Sequence, residues 1–299
     1  YYSNFSIKYL QLDLFKGKNM AIKVAINGFG RIGRCVARII ASRDDVELVA
    51  INDTAAPDML EYITKYDTVH GTFDGVVKIE NGYLHMGKVK AKLYSTRDAN
   101  ELTFSKECGA EVILECTGAY LTQEKCQVHI DNGAKKVVMS APAKDNTPTF
   151  VLGVNEHQYK GQKIISNASC TTNGLGPVAK IIDEAFGIEK GLMTTIHSYT
   201  SSQPILDGKD KKDPRKGRAG ATNLTPSSTG AAKAIGKVMP HLKGKLNGQA
   251  IRVPTPNVSL VDLTVTLKKD VTLEEVCEAF KAASTGSLKG ILGIDEEYR

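Results

Sequence analysis

The chain has 299 residues, enough for two domains at roughly 150 residues each. Its 41% hydrophobic and 24% charged residues form an ordinary globular balance, which excludes a disordered chain, a collagen-like repeat and a coiled coil. The formal charge of +6 suits a small anionic ligand but is too weak and scattered to indicate nucleic acid, and no apolar run reaches the ~18 residues of a membrane span.

Residues 1–19 begin with Tyr1, scatter their aromatics and lack the apolar core and small-residue cleavage site of a signal peptide. They read as a non-native or disordered extension, with the native start at Met20; a genuine N-terminal arm is the alternative. At Ala21–Ile26 a strand pattern begins and runs into Asn27-Gly28-Phe29-Gly30-Arg31-Ile32-Gly33, followed by a helical pattern to Ile40. A second strand, Val46–Ile51, ends at Asn52-Asp53. A lone G-x-G-x-x-G is weak. Between a strand and a helix, with an aspartate twenty residues beyond Gly33, it is the dinucleotide fingerprint. Gly28 permits the tight turn, Gly30 lets a pyrophosphate approach the backbone, and Gly33 allows close helix–strand packing. The free N–H groups of the helix start face the phosphates, and Asp53 accepts from the adenosine ribose hydroxyls.

Further strands are expected at Glu111–Cys116, Lys136–Ser140, Phe150–Val154 and Lys163–Ser166. Strands alternating with helices predict an α/β fold: a Rossmann-like, doubly wound, mostly parallel sheet over 20–168. Ligands of such sheets bind at the carboxyl ends of strands, which marks Thr117, Gly118 and Ser140 as cofactor contacts. The remainder, 169–299, has a different pattern. A helix spans Ser169–Phe186, with Ser169 as N-cap and Pro177 at an awkward interior position. Then come a strand at Leu192–His197, a polar loop to about Asn223, a helix at Ser228–Val238, strands near Ala250–Val253 and Val258–Leu267, and a helix at Thr272–Ala283. These predict a second, α+β catalytic domain with a mixed or antiparallel sheet and helices on one face.

None of the six cysteines forms a C-x-x-C pair, so no metal site is expected, and they read as reduced, mostly buried and inert thiols of a cytoplasmic protein. Cys170 differs. In Ser166-Asn-Ala-Ser-Cys-Thr-Thr-Asn173 it starts a helix, whose positive terminus favours a thiolate, among the hydroxyls of Ser169, Thr171 and Thr172. His197 ends a strand and is the candidate base; His70, His85, His129, His157 and His241 lie among polar residues and read as surface. An inert cysteine and a satisfied histidine are the ordinary alternative. The basic residues Lys209, Lys211, Lys212, Arg215, Lys216 and Arg218 read as a solvated or subunit-facing loop rather than a nucleic-acid or surface-binding patch.

Five segments in order, Asn27–Gly33, Ser166–Asn173, His197-Ser-Tyr-Thr200, Ser227-Ser-Thr-Gly-Ala-Ala-Lys233 and Arg252-Val-Pro-Thr-Pro-Asn257, resemble phosphorylating glyceraldehyde-3-phosphate dehydrogenase of bacterial type. The resemblance runs from Met20 to the chain end. It implies a Cys170 nucleophile, His197 as base, NAD as cofactor, a phosphorylated aldehyde and inorganic phosphate as substrates, and a cytoplasmic homotetramer without membrane or nucleic-acid partners. Cofactor positions implied by it are Arg31, Ile32, Asp53, Arg97, Thr117, Gly118 and Ser140, beside the loop Asn27, Gly28, Phe29, Gly30 and Gly33. One anion pocket takes Thr200 and Arg252; the other takes Ser169, Thr171, Arg218, Thr229 and Gly230. Erythrose-4-phosphate dehydrogenase shares the cysteine segment, but His197–Thr200 favours the former. A nucleotide-binding module without turnover is the remaining alternative.

Two departures stand out. The family often carries a second cysteine four residues after the nucleophile, where this chain has Gly174. The resemblance also implies a further strand and helix beyond Arg299, with an asparagine that orients the nicotinamide amide, so the chain reads as truncated at its C-terminus.

Overall fold

The structure, a computed structural model, describes residues 21–210 and 213–297. The expected extension at 1–19 and the lysines 211 and 212 lie outside the described residues. The chain divides into two compact units. The first runs to Phe150 and includes Gln158–Ala168; the second comprises Val151–His157 and the chain from Ser169 onward.

In the first unit, β1 (Ile22–Asn27) leads into α1 (Arg31–Ala41) and β2 (Val46–Asn52). Helix α2 (Pro57–Lys65) starts on a proline, whose missing N–H costs nothing at a first turn. Then come β3 (Val77–Glu80), β4 (Tyr83–Met86), β5 (Val89–Tyr94), the short α3 (Phe104–Cys108), β6 (Val112–Glu115), α4 (Gln123–Asp131), β7 (Lys136–Met139) and β8 (Ile164–Ser166). The sheet order is β3-β4-β5-β2-β1-β6-β7-β8. Every pair from β5 to β8 is parallel; β3–β4 and β4–β5 are antiparallel. Strand order reverses at β1: the chain leaves it toward β2 on one side and returns beside it as β6. Val24, Ala25, Ile26, Val112 and Val137 have no exposed surface or almost none, as parallel strands covered on both faces require. This is the expected doubly wound sheet. The meander β3–β5 has no counterpart in the sequence analysis, although Asn81-Gly82, both at positive φ, is a hairpin signal.

The expected strand Phe150–Val154 does not form. Thr149 makes an isolated bridge to Ser166, and the chain then turns: Val154 N–H donates to Val151 O, Asn155 Oδ1 accepts from Val151 N–H, and Gly153 has φ +80°. The apolar side chains are still buried, but a local hydrogen-bonded turn satisfies the backbone in place of a ladder.

In the second unit, α5 (Cys170–Phe186) runs through the buried Pro177, and β9 (Ile188–Ser198) follows. Next are β10 (Thr225–Ser228), α6 (Ala231–Val238), β11 (Leu246–Val253), β12 (Ser259–Leu267) and α7 (Leu273–Thr285), whose N-cap Thr272 forms a reciprocal capping box with Glu275. The sheet order is β10-β11-β9-β12, with β11–β9 parallel and the outer pairs antiparallel, so the sheet is mixed, as expected. Helix α5 packs on β9 and β12, and α6 on β11. Along β9, Met193, Thr195 and His197 are buried while Leu192 is exposed, the period-two alternation of a sheet with one covered face.

Candidate active site

The thiol site is assembled by a helix cap, a strand alternation and a strand pairing. Ser169 caps α5: its Oγ accepts from Thr172 N–H at 3.0 Å, which leaves Cys170 as the first helical residue. The alternation that buries Met193 and Thr195 places His197 on the same covered face, one residue before β9 ends. Parallel pairing of β11 with β9 sets Arg252 directly beside His197. Cys170 Sγ lies 3.2 Å from His197 Nε2, and Arg252 Nη1 lies 2.9 Å from His197 Nδ1 and donates to Ser198 O at 2.8 Å. Burial opposes ionisation of the Cys170 thiol, but the hydrogen bond and charge of His197 outweigh it and hold the thiol below its ordinary range. Buried Cys126 shows the opposite: without such a partner, burial pushes its thiol up to about 12. Burial likewise lowers Arg252, partly countered by Cys170.

The other expected anion ligands are held locally. Thr171 is buried beside Cys170, its Oγ1 4.0 Å from Sγ. Thr200 bonds Ser202, Arg218 pairs with Asp207 at 3.0 Å, and Thr229 Oγ1 accepts from Ala231 N–H next to Gly230, the N-cap of α6. Direct contact therefore joins Cys170, His197 and Arg252. Of the six thiols, all free, only Cys126 belongs to a buried residue; Cys277 is exposed, and Cys170 is exposed as a whole residue while its Sγ is desolvated against His197 and Thr171, against the expectation that most are buried.

In the first unit the expected cofactor residues lie at carboxyl ends of neighbouring parallel strands: Asn27 and the glycine loop after β1, Asp53 after β2, Arg97 after β5, Thr117 and Gly118 after β6, Ser140 after β7. The glycines divide by physical role. A Cβ on Gly28 would lie 2.6 Å from Thr117 N, and one on Gly33 2.2 Å from Gly28 O, so both are required by packing. A Cβ on Gly30 or Gly118 would meet nothing within 4 Å, so both leave open space where a ligand approaches the backbone. Helix α1 begins with no side-chain cap and no acidic residue in its first turn, which leaves its N–H groups available to an anion. Asp53 is held by Phe29 N–H at 3.0 Å and Ala55 N–H at 2.9 Å. Phe29 is buried, Ile32 is exposed, and Arg31 pairs with Asp67. This cradle fits a dinucleotide.

A further expectation is overturned. His129 is buried, not on the surface, and its Nε2–H donates to Glu115 at 3.2 Å. The three-residue spacing of Cys126 and His129, the two buried residues of α4, is the signal that could have revealed it. Among the described residues no group of acidic, histidine or cysteine side chains could hold a metal ion, and no helix is long and apolar enough to cross a membrane.

A dinucleotide-binding sheet carried in one chain with a thiol–imidazole pair defines a nucleotide-dependent oxidoreductase. Models of the glyceraldehyde 3-phosphate dehydrogenase NAD binding domain and C-terminal domain match residues 22–123 and 169–299. The chain is 54% identical to glyceraldehyde-3-phosphate dehydrogenase A of Escherichia coli strain K12 over 278 residues, 93% of this chain and 84% of that protein. It is 53% identical, with the same coverage, to the glyceraldehyde-3-phosphate dehydrogenases of Salmonella typhimurium strain LT2 and Shimwellia blattae. The chain belongs to the glyceraldehyde-3-phosphate dehydrogenase family.

Proposed function

We propose that the protein oxidises and phosphorylates D-glyceraldehyde 3-phosphate to 1,3-bisphosphoglycerate, with NAD as the oxidant. The observation that carries this reading is the 3.2 Å contact between a thiol held below its ordinary pKa and the imidazole of His197. The Cys170 thiol gives its proton to His197 Nε2, and the thiolate attacks the aldehyde carbon, forming a C–S bond as the carbonyl π-bond opens and its oxygen takes that proton from Nε2. His197 Nε2 takes that hydroxyl proton as the carbon gives up its hydride, leaving a thioester on Cys170. NAD, when bound, supplies the acceptor for the hydride. Inorganic phosphate then attacks the thioester carbon, the C–S bond breaks, and the Cys170 thiolate is restored beside His197.

Two anions are bound in this sequence. Arg252 and Thr200 are assigned to one, and Ser169, Thr171, Arg218, Thr229 and Gly230 to the other; guanidinium, hydroxyl and backbone N–H groups are the donors that phosphate oxygens accept. Asn27, Gly28, Phe29, Gly30, Arg31, Ile32, Gly33, Asp53, Arg97, Thr117, Gly118 and Ser140 are assigned to the cofactor. A cytoplasmic homotetramer is part of the proposal. Six free thiols support the compartment, and Leu192 and Leu260, exposed on the same sheet face, support assembly. The test is NADH formation from glyceraldehyde 3-phosphate with and without phosphate, and from erythrose 4-phosphate. Phosphate-dependent turnover preferring the three-carbon substrate is expected; preference for erythrose 4-phosphate, or cofactor binding without turnover, overturns it.

A further inference from the structure

The point where strand order reverses carries a row of buried polar side chains, of which only Asn27 has a role assigned above. Asn27, Asn52 and Glu115 are register partners across the three adjacent strands β2, β1 and β6, at their carboxyl ends. All three are at most 5% exposed, and the Glu115 side chain has no exposed surface. The hydrogen bonds run one way. Asn52 Nδ2 donates to Asn27 Oδ1 at 2.8 Å, and Asn27 Nδ2 donates to Glu115 Oε2 at 2.7 Å. His129 Nε2–H, from α4, donates to the same oxygen. Thr117 donates twice to Oε1, through its N–H at 2.9 Å and its hydroxyl. Four donors therefore converge on one buried carboxylate, and each is a group a neutral acceptor pair would not satisfy equally.

We propose that Glu115 is a positioning residue of the cofactor site, the point that locks the glycine loop after β1 to the Thr117–Gly118 turn after β6, with His129 as its support. The two loops it joins are the two that touch: the α-carbon of Gly28 packs on Thr117 so closely that a Cβ there would lie 2.6 Å from Thr117 N. On one side Glu115 holds Asn27, the residue immediately before Gly28. On the other it holds Thr117, whose Oγ1 accepts from Ala119 N–H at 3.0 Å and so spans Gly118, which has φ +73° and open space where a Cβ would be. Releasing Glu115 frees both walls of the pocket while leaving the second unit, with Cys170 and His197, untouched. The inference rests on the cofactor reading of this cradle.

Glu115→Gln separates charge and donor count from shape. Its amide must place an NH2 against donors on either side. Thr117 N–H has no alternative state, so the NH2 faces His129, which accepts by changing tautomer, and Asn27, which turns only by giving up Asn52. The strain therefore falls on the entry to the glycine loop. The experiment is calorimetric titration of the full chain with NAD, paired with initial rates and with the rate of Cys170 alkylation measured without cofactor. Glu115→Gln is expected to weaken NAD binding and raise the KM for NAD by about tenfold or more, with kcat at saturating NAD and the alkylation rate within about twofold of wild type. His129→Leu, which removes one donor, should show a smaller loss, and His129→Gln, which restores a donor, should recover wild-type binding. NAD affinity unchanged in both Glu115→Gln and His129→Leu overturns the inference, as does a loss of kcat equal to the loss of affinity. If Glu115→Gln does not fold, the Leu and Gln variants at 129 decide. A wild-type chain that does not bind NAD overturns the cofactor reading and the inference with it.

Discussion

His197 is tied at one nitrogen and faces the thiol with the other: Nδ1 lies 2.8 Å from Ser198 O and 2.9 Å from Arg252 Nη1, while Nε2 lies 3.2 Å from Cys170 Sγ. Nδ1 donates to Ser198 O in one tautomer and accepts from Arg252 in the other, and either bond holds the ring with Nε2 toward the thiol, so the imidazole is oriented before substrate arrives.

Cys170→Ser should abolish turnover while NAD affinity is retained, because the residues assigned to the cofactor belong to the other unit. His197→Asn should leave a slow enzyme, down by roughly 10²–10⁴ for loss of a general base. The pH at which iodoacetamide alkylates Cys170 should rise in that variant. His197 holds the thiol below its ordinary range, so removing it leaves burial, which raises the pKa. Alkylation profiles of the two proteins that coincide would count against the pairing.

NAD should be preferred over NADP. The Asp53 carboxylate is fixed by Phe29 N–H and Ala55 N–H and does not swing aside for a 2′-phosphate. Like charges forced together cost several kcal/mol, so the ratio of kcat/KM values should exceed about a hundredfold. Asp53→Gly should narrow it; equal use of the two cofactors by wild type would contradict the assignment.

Two glycines should respond oppositely to alanine. At Gly174, inside α5, a Cβ meets only Val261 Cγ2 at 3.7 Å, so Gly174→Ala should stabilise by about 0.5–1 kcal/mol through helix propensity. At Gly33 a Cβ would lie 2.2 Å from a backbone oxygen, which cannot yield. Gly33→Ala should cost about 3 kcal/mol and impair NAD binding. Denaturant midpoints of the two variants, with NAD titration of the second, make the comparison.

Lys136 should make stability depend on alkaline pH. Its amine is buried against the Tyr159 ring and donates to Gln162 O, and burial lowers its pKa to about 8 from an ordinary 10.5. Between those values the unfolded chain binds the extra proton, so this group's contribution to stability rises with pH across that window. Below about pH 8 the folded state carries the full cost of a buried charge. Lys136→Met should therefore be stabilising at pH 7, with an advantage that shrinks toward pH 10.5. A wild-type-to-variant difference in unfolding free energy that is constant over that range would refute it.

Much of this protein is written in local sequence. The glycine loop was legible because turn, strand and helix signals are short-range and Asp53 follows at a fixed spacing. The thiol was legible because a serine N-cap and a helix start are set by adjacent residues, and a helix terminus acts on whatever side chain it holds. Sequence could not determine which residues from distant segments meet. Arg252 stands beside His197 because β11 pairs with β9 in one register, and a one-residue slip would turn it to the other face. His129 reads as a surface histidine because its neighbours are polar; it is buried because α4 turns that position onto the sheet, where Glu115 accepts the hydrogen bond from its Nε2–H. Phe150–Val154 has the composition of a strand, and its burial is real, but pairing with the edge strand β8 stops at Phe150 N–H, which donates to Ser166 O, and beyond it the backbone closes on Asn155. Local propensity determined the elements and the chemistry each one carries. Register and burial, which depend on contacts far apart in the chain, decided which of those chemistries face one another.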